Sequence, residues 1–289
     1  MAGTLFIVAT PIGNLEDLSF RALRTLREAD LIAAEDTRRT AKLLAHYAIQ
    51  KPMVSLHEHN ERREAPRLIA RLAAGESIAL VSDAGTPGIS DPGEHLVHMA
   101  REAGIRVSPI PGPSAIMAAL SASGVPAAEF IFLGFPPRSG AARTAWFEQL
   151  AGESRTVVFF EAPHRILRTM DEVLELVGER PIFVHRELTK IHEISVKYTN
   201  NESLKEQQQL GEFVVVVGNS PIKSDDSERI ELATLKAIDM FGCLTDTDVF
   251  SDDEAETLTA NALSLDPRIV RKAVKKARIA RKRQDQSVS

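Results

Sequence analysis

Strand-length apolar runs alternate with helically spaced apolar positions from the first residues onward. Thr4 to Thr10 reads as a buried strand, Phe20, Leu23 and Leu26 then recur at helical spacing, and Leu31 to Ala34 is a second strand. That sequence predicts a βαβ unit. A helix over Thr37 to Tyr47 follows, with Asp36 as its N-cap, then a strand near Met53 to His57 and a helix ending at Gly75. Strands at Ile78 to Ser82 and Arg106 to Ile110, with a helix near Glu94 to Ala103 between them, bring the strands to five. Short βα connections of this kind predict a mostly parallel sheet with helices on both faces.

A helix over Ser114 to Ser123 should stop at Gly124-Val125-Pro126, where Gly caps and Pro forbids continuation. The pattern then resumes with strands at Phe130 to Leu133, Thr156 to Phe160, Ile182 to His185, Ile194 to Tyr198 and Gly211 to Val217, with helices expected in all but the last interval. The fold class is therefore α/β. Residues 1–125 are expected to form one α/β domain with a mostly parallel sheet, 126–221 a second with a mixed sheet, and 222–289 an acidic then basic tail with helical potential.

Composition narrows the function classes. With 289 residues, 44% of them apolar, each half has material for a core. The longest apolar runs, such as Phe213 to Val217, fall far short of the ~20 residues of a bilayer span. The N-terminus has no basic flank or h-region, and the single cysteine, Cys243, can form no internal disulfide, so a cytoplasmic protein is expected. The net charge of −5 is unevenly spread: 225–256 carries eleven carboxylates and two bases, whereas Arg268 to Arg283 carries nine bases and no acid. A basic helix there could track phosphates, or could simply offset the acidic segment before it.

In open α/β sheets ligands bind beyond the carboxyl ends of the strands. Three Gly- and Pro-rich loops fall there: Ala9 to Asn14, Ser82 to Gly93 and Pro109 to Ala115. Any one is compatible with an ordinary tight turn, but three at one sheet edge point to close approach of backbone to a ligand. None carries a dinucleotide or P-loop glycine signature. Ser114 suits either an N-cap or a ligand contact. Two charged clusters also follow strands: Glu35-Asp36-Thr37-Arg38-Arg39, and Arg186 to Glu193. They suit either a solvated face or the orientation of a polar substrate and movement of a proton, making Glu35, Asp36, Arg186, Glu187 and Lys190 candidate catalytic residues. His57 and His59, with Asp36, Asp83 and Asp91, suit either a metal site or loop histidines of a substrate groove, and no close helical ligand spacing accompanies them. No metal is expected.

Eight ordered segments carry a resemblance: Val8-Ala-Thr-Pro-Ile-Gly-Asn-Leu-Glu-Asp17, Ala34-Glu-Asp-Thr-Arg38, His57-Glu-His-Asn60, Ser82 to Gly93, Pro111-Gly-Pro-Ser114, Phe132-Leu-Gly-Phe135, Phe160-Glu-Ala-Pro-His-Arg165 and Arg186-Glu-Leu-Thr-Lys190. Over residues 3 to 217 the chain resembles the tetrapyrrole-methylase-like (class III) S-adenosylmethionine-dependent methyltransferases. Within them it is similar to the family that 2'-O-methylates a cytidine of 16S ribosomal RNA in the decoding region. The resemblance implies two α/β domains with the cofactor cleft between them, a cytoplasmic homodimer, and a substrate in the small ribosomal subunit. It places S-adenosylmethionine against Asp83, Gly85, Thr86, Gly88, Ile89, Ser114, Ala115, Glu161, Ala162 and Leu188; for an RNA substrate, Arg38, Arg138 and Arg165 are candidates to position phosphates, or else salt-bridged structural residues. Ile194 stands where the family commonly has a second acidic residue.

The rivals differ in chemistry. A metal-dependent phosphoester hydrolase would use His57, His59 and Asp83. A non-catalytic RNA-binding protein would depend on Arg268 to Arg283. Another methyltransferase of the same fold would act on a tetrapyrrole or a protein side chain.

Overall fold

The alternating apolar runs form two five-stranded sheets in the computed structural model, which describes residues 2–201, 211–219, 236–245, 251–263, 270–271 and 274–275. The chain divides into two compact units, Met1–Ser220 and Pro221–Ser289. In the first unit β1 (Thr4–Val8), β2 (Leu31–Ala34), β3 (Met53–Ser55), β4 (Ile78–Val81) and β5 (Arg106–Ile110) make an all-parallel sheet in the order β3-β2-β4-β1-β5. Four helices connect them: α1 (Phe20–Glu28), α2 (Thr37–His46), α3 (Glu61–Ala73) and α4 (Glu94–Glu102).

Both faces of this sheet are covered, and strand pleating sorts the side chains between them. Leu31, Ala33, Ile78 and Leu80 join one core with Leu68 and Leu72 of α3 and Leu96 of α4. Ile32, Ala34, Ala79 and Val81 point the other way, into a core shared with Ala22 and Leu26 of α1 and Leu44 of α2. Asp36 caps α2 as expected, its Oδ1 accepting the Arg38 amide at 2.8 Å. The first strand is shorter than its apolar run. The Ala9 amide still donates to the Ile110 carbonyl at 3.3 Å, but Thr10 leaves the ladder and pairs with Gly85 through two backbone hydrogen bonds of 2.8 and 3.0 Å.

The second sheet is mixed, as expected, with order β6-β7-β10-β8-β9. Its strands are β6 (Phe130–Phe132), β7 (Thr156–Glu161), β8 (Ile182–Arg186), β9 (Ile194–Tyr198) and β10 (Phe213–Val217), and only the β6–β7 pair is parallel. No helix separates β8 from β9, contrary to the expected alternation. The two strands are antiparallel neighbours, so the short 187–193 loop suffices to join them. Central β10 is buried on both faces. Phe213, Val215 and Val217 face α6 (Gly140–Gly152) and α7 (Ile166–Val177), whereas Val214 and Val216 face Ile116 and Leu120 of α5 (Ala115–Ser123). Thus α5, which follows the first sheet in sequence, packs on the second.

The described residues of the second unit are helical over 236–245 and Asp252–Leu263, around a small core of Ala237, Phe241, Ala255, Ala260, Val270 and Val274. Ser251 and Glu254 form a reciprocal cap: Ser251 N donates to Glu254 Oε2 at 2.9 Å and Glu254 N to Ser251 Oγ at 3.4 Å. Most of the basic stretch expected at Arg268 to Arg283 lies outside the described residues.

One buried cation holds the far end of the second sheet. Arg180, 6% exposed, donates to the carbonyls of Gly218 (2.7 Å), Leu150 (3.2 Å), Glu153 (2.8 Å) and Arg155 (2.9 Å). These belong to the end of α6, the approach to β7 and the exit from β10, so one guanidinium satisfies carbonyls that packing has removed from water. Substituting Arg180→Ala should lower the unfolding free energy by about 3 kcal/mol, since several charge-assisted hydrogen bonds go and buried carbonyls are left unpaired. Urea denaturation checks this. A loss under about 1 kcal/mol would show that water reaches those carbonyls.

Candidate functional site

Parallel strands end together, so their following loops meet at one edge. The segments after β1, β2, β4 and β5 there face the 160–163 and 212–214 segments of the second sheet across a cavity of about 460 Å³. Ile12, Glu35, Arg39, Asp83 to Thr86, Ile89 to Asp91 and Ser114 to Ile116 line it from one side. Phe135, Phe160 to Pro163 and Glu212 to Val214 close it.

Asp83 ties two of these loops together. Its Oδ1 accepts the Asp36 amide at 3.0 Å, its own amide donates to Glu35 Oε2 at 3.1 Å, and its Oδ2 lies 3.4 Å from Arg39 Nη1. The third loop joins through Thr86, whose hydroxyl donates to the Pro113 carbonyl at 3.3 Å. Gly85 sits at φ +82°, a conformation that costs a side-chain-bearing residue strain, and this lets the loop turn beneath Thr10. Gly112 passes so close to Ala9 that an added Cβ would lie 3.0 Å from the alanine methyl. Ser114 is an N-cap, accepting the Met117 amide at 3.4 Å, and it also lines the cavity.

The cavity is acidic. Asp91 is pushed up to about 6, first by burial and then by the charges of Glu35, Asp83 and Glu212, against a hydrogen bond from Ser82. Burial also raises Glu35, outweighing the Asp83 amide that favours its ionised form. Between the ordinary carboxyl range and about pH 6, folded Asp91 binds a proton that the unfolded chain does not. Rising pH through that window therefore works against the fold, and a cation entering the cavity relieves the repulsion.

On the second-sheet side, Glu161 is buried and fully engaged. Its Oε2 accepts the Thr169 hydroxyl at 2.6 Å, while Oε1 meets Arg165 Nη2 at 2.5 Å and the Ala162 amide at 2.7 Å. Arg143 extends this network, pairing with Glu172 at 3.0 Å and donating to Thr169 at 3.1 Å. Glu161 therefore fixes the Ala162 and Pro163 backbone at the cavity wall and leaves that wall apolar.

Of the expected ligand contacts, Asp83, Gly85, Thr86, Ile89, Ser114, Ala115, Glu161 and Ala162 line the cavity. Gly88 and Leu188 do not; Leu188 is buried with Ile116 and Val214 behind the wall. Among the five catalytic candidates only Glu35 is on the wall. Asp36 is held well below the usual carboxylate range by its hydrogen bonds with Arg38. Arg186 lies buried with its guanidinium 6.0 Å from the Phe213 ring centre. Glu187 accepts from Lys190 Nζ at 2.8 Å and from the Glu212 amide at 3.2 Å. Burial raises Glu187, but the hydrogen bonds from Lys190 and the Glu212 amide, with the charges of Lys190 and Arg186, together outweigh it and the carboxyl ends below its ordinary value. Both residues buttress the site: Lys190 packs on Gly13, whose Cβ, if present, would lie 2.4 Å from the lysine Cγ, and Thr189 Oγ1 accepts the Asn14 amide at 3.0 Å. Of the phosphate-binding candidates, Arg38 and Arg138 are exposed, whereas Arg165 is committed to Glu161 and to the Pro136 carbonyl at 3.0 Å.

Sequence reasoning missed Glu212, Ile12, Phe135 and Phe160 as wall residues, and brought in Asp91 only as a possible metal ligand. Asp91 lay within a recognised loop, and its carboxylate spacing from Asp83 was the available signal. Nothing local marks Glu212, because it reaches the site only by strand pairing. His57 and His59 have ring centres 6.0 Å apart, and among the described residues no three His, Cys, Asp or Glu side chains are grouped to hold a metal ion.

The sequence matches the tetrapyrrole (corrin/porphyrin) methylases over residues 4–202. It is 47% identical over 245 residues to Ribosomal RNA small subunit methyltransferase I of Pseudomonas aeruginosa, covering 83% of this chain and 86% of that protein. The protein of the same name from Xylella fastidiosa is 53% identical over 221 residues, covering 74% and 81%. Among solved structures, a diphthine synthase superposes with TM-score 0.59 at 17% identity over 75% of this chain and 90% of that one. A uroporphyrin-III-C-methyltransferase from Thermus thermophilus gives 0.53 at 21% identity over 76% and 94%. These two likenesses show the shared fold. The chain belongs to the tetrapyrrole (corrin/porphyrin) methylases and, within them, to the Ribosomal RNA small subunit methyltransferase I family.

Proposed function

We propose that this protein transfers the methyl group of S-adenosylmethionine to the ribose 2'-hydroxyl of a cytidine in the decoding region of 16S ribosomal RNA. The observation that carries this reading is the acidic, apolar-walled cavity at the meeting of the strand-end loops, in a chain whose relatives at 45–53% identity bear the ribosomal RNA name. The more distant tetrapyrrole and diphthine enzymes, at 21% identity or less, support the fold alone. The metal-hydrolase reading lacks support from the His57–His59 geometry.

The residues present fit the cofactor. A volume of about 460 Å³ lies in the range of roughly 300–1,000 Å³ usual for small-molecule sites. Ile12, Ile89, Phe135 and Phe160 offer apolar contact for a nucleoside, and the backbone at Gly85, Thr86 and Ala162 offers polar groups. When bound, the cofactor supplies a methyl group on a cationic sulfur. Glu35, Asp83, Asp91 and Glu212, with Arg39 as the one cation among the lining residues, give the cavity a negative field that favours such a cation. Gly88 and Leu188 act indirectly, the first by shaping the loop and the second by backing the wall.

Glu35 is the proton acceptor in this reading. It lines the cavity, and its raised affinity for protons suits it to take one from a hydroxyl as that oxygen attacks. Lys190 and Glu187 hold the Gly13 loop, Asp36 and Arg186 stabilise their own strand ends, and Arg38, Arg138 and Arg165 mark the side from which RNA approaches. The domain boundaries near 125 and 221, the homodimer, the assembled small subunit as substrate and the cytoplasmic location belong to this same proposal. Among the described residues no helix is long and apolar enough to cross a membrane.

Incubation with radiolabelled S-adenosylmethionine and unmodified small subunits should label one cytidine, and nuclease digestion should yield an alkali-resistant dinucleotide there. Label absent from RNA despite cofactor binding would sink the substrate assignment. Glu35→Gln keeps an acceptor for the Asp83 amide, so single-turnover methyl transfer at saturating cofactor should slow by about 10²–10⁴, a loss larger than the modest weakening of cofactor affinity expected from removing one of four negative charges. Calorimetric cofactor affinity should strengthen from pH 5 to 7 as Asp91 ionises, by at most about tenfold per pH unit below 6, with proton release. Asp91→Asn should bind more weakly at pH 7 with that dependence flattened; an unchanged profile would mean that the cation sits elsewhere.

A further inference from the structure

The two helices on one face of the first sheet differ in charge from every other pair of covering helices. Over their nineteen residues α1 and α2 carry six bases and one acid, Glu28, in a chain whose net charge is −5. On the opposite face α3 and α4 carry five bases against four acids, and α6 and α7 carry two bases against four acids. An excess so concentrated on one face is not explained by general solvation, which would spread it. Burial of Ala22, Leu26, Thr40 and Leu44 turns Arg24, Arg27 and Lys42 outward, and all three are exposed. Arg24 and Lys42 have no ion-pair partner among the described residues, whereas the α3 arginines Arg63 and Arg67 share Glu64.

Two further features point to a polyanion with bases. Phe20, at the first turn of α1, is 93% exposed beside these cations. A lone aromatic ring among arginines is a stacking surface for an unpaired base. Arg21 and Arg24 also line a polar hollow of about 500 Å³ between α1 and β5, which includes Ser77 and Ser108, with Glu28 as its one carboxylate. Both helices begin at the carboxyl edge of the sheet, where Arg39 of α2 reaches the cavity wall.

We infer that the outer face of α1 and α2 is a docking surface for RNA, with Arg21, Arg24, Arg27 and Lys42 contacting backbone phosphates and Phe20 stacking on an unpaired base. This rests on the ribosomal RNA reading above and says which surface delivers the strand to the cavity. Tetrapyrroles and protein side chains give no reason for such an extended cationic face.

The test is the salt dependence of binding to a decoding-region RNA hairpin, compared between two matched double substitutions. Arg24→Gln with Lys42→Gln removes two charges from the proposed surface; Arg62→Gln with Arg101→Gln removes two exposed charges from α3 and α4. The first pair should lower affinity severalfold and make the slope of log affinity against log salt shallower by about 1.4. The control pair should leave the slope within error of wild type. Phe20→Ala should weaken binding about tenfold without changing the slope. For all three variants S-adenosylmethionine affinity should be unchanged, and for the first pair the KM for small subunits should rise while kcat holds. Equal behaviour of the two pairs, with wild type methylating RNA, would overturn this surface while leaving the activity standing. Wild type that neither binds nor methylates RNA would overturn the ribosomal RNA reading and this surface with it.

Discussion

Asp83 holds the site together because one carboxylate and one amide bind two strand-end loops at once. Its acceptor contacts with the Asp36 amide and Arg39, and its amide donated to Glu35, lock the loop after β4 to the loop after β2. These bonds lie at the cavity wall, where loop displacement would reshape the pocket directly. Thr10, paired with Gly85, and Thr86, bound to Pro113, bring in the loops after β1 and β5. A parallel sheet makes this possible, since every one of its strands delivers a loop to the same edge.

The second sheet completes the enclosure by a different device. It buries a carboxylate, Glu161, and saturates it with Thr169, Arg165 and the Ala162 amide. A buried charge is tolerable only when so paired, and the pairing makes the following backbone rigid. Strand β10 then carries Glu212, Phe213 and Val214 to the wall opposite the first sheet's loops. Helix α5 spans the two halves: its N-terminal cap Ser114 lines the cavity while Ile116 and Leu120 pack against β10 and β7. A single helix thus couples the position of the third loop to the second sheet.

Charge is partitioned by task. Inside the cavity four carboxylates favour a cation, and their crowding adds to burial in raising the proton affinity of Asp91 and Glu35. Outside, the α1–α2 face carries six bases against one acid, whereas the α3–α4 face carries five against four and α6 and α7 two against four. An enzyme that must hold a cationic cofactor and a polyanionic substrate needs opposite fields a short distance apart. A uniform charge would weaken one of the two interactions.

The elements themselves were legible in the sequence, because strand and helix periodicities are local and Asp36, Ser114 and Gly124 mark helix ends through their own side chains or backbone freedom. The Gly- and Pro-rich loops marked, for the same reason, the edge at which the cavity lies. The expectation of a helix between β8 and β9 failed because strand direction depends on which neighbour a strand pairs with. Glu212 and Phe213 were invisible since register across β7 and β8, not local pattern, carries them to the cavity. Lys190 and Glu187 drew notice by their charges, and the folded chain sets them off the cavity lining, in contact with Gly13 and the Glu212 amide. Local physics determined the elements and the edge that binds; only the folded arrangement decided which carboxylates face one another, and therefore which of them hold protons unusually tightly.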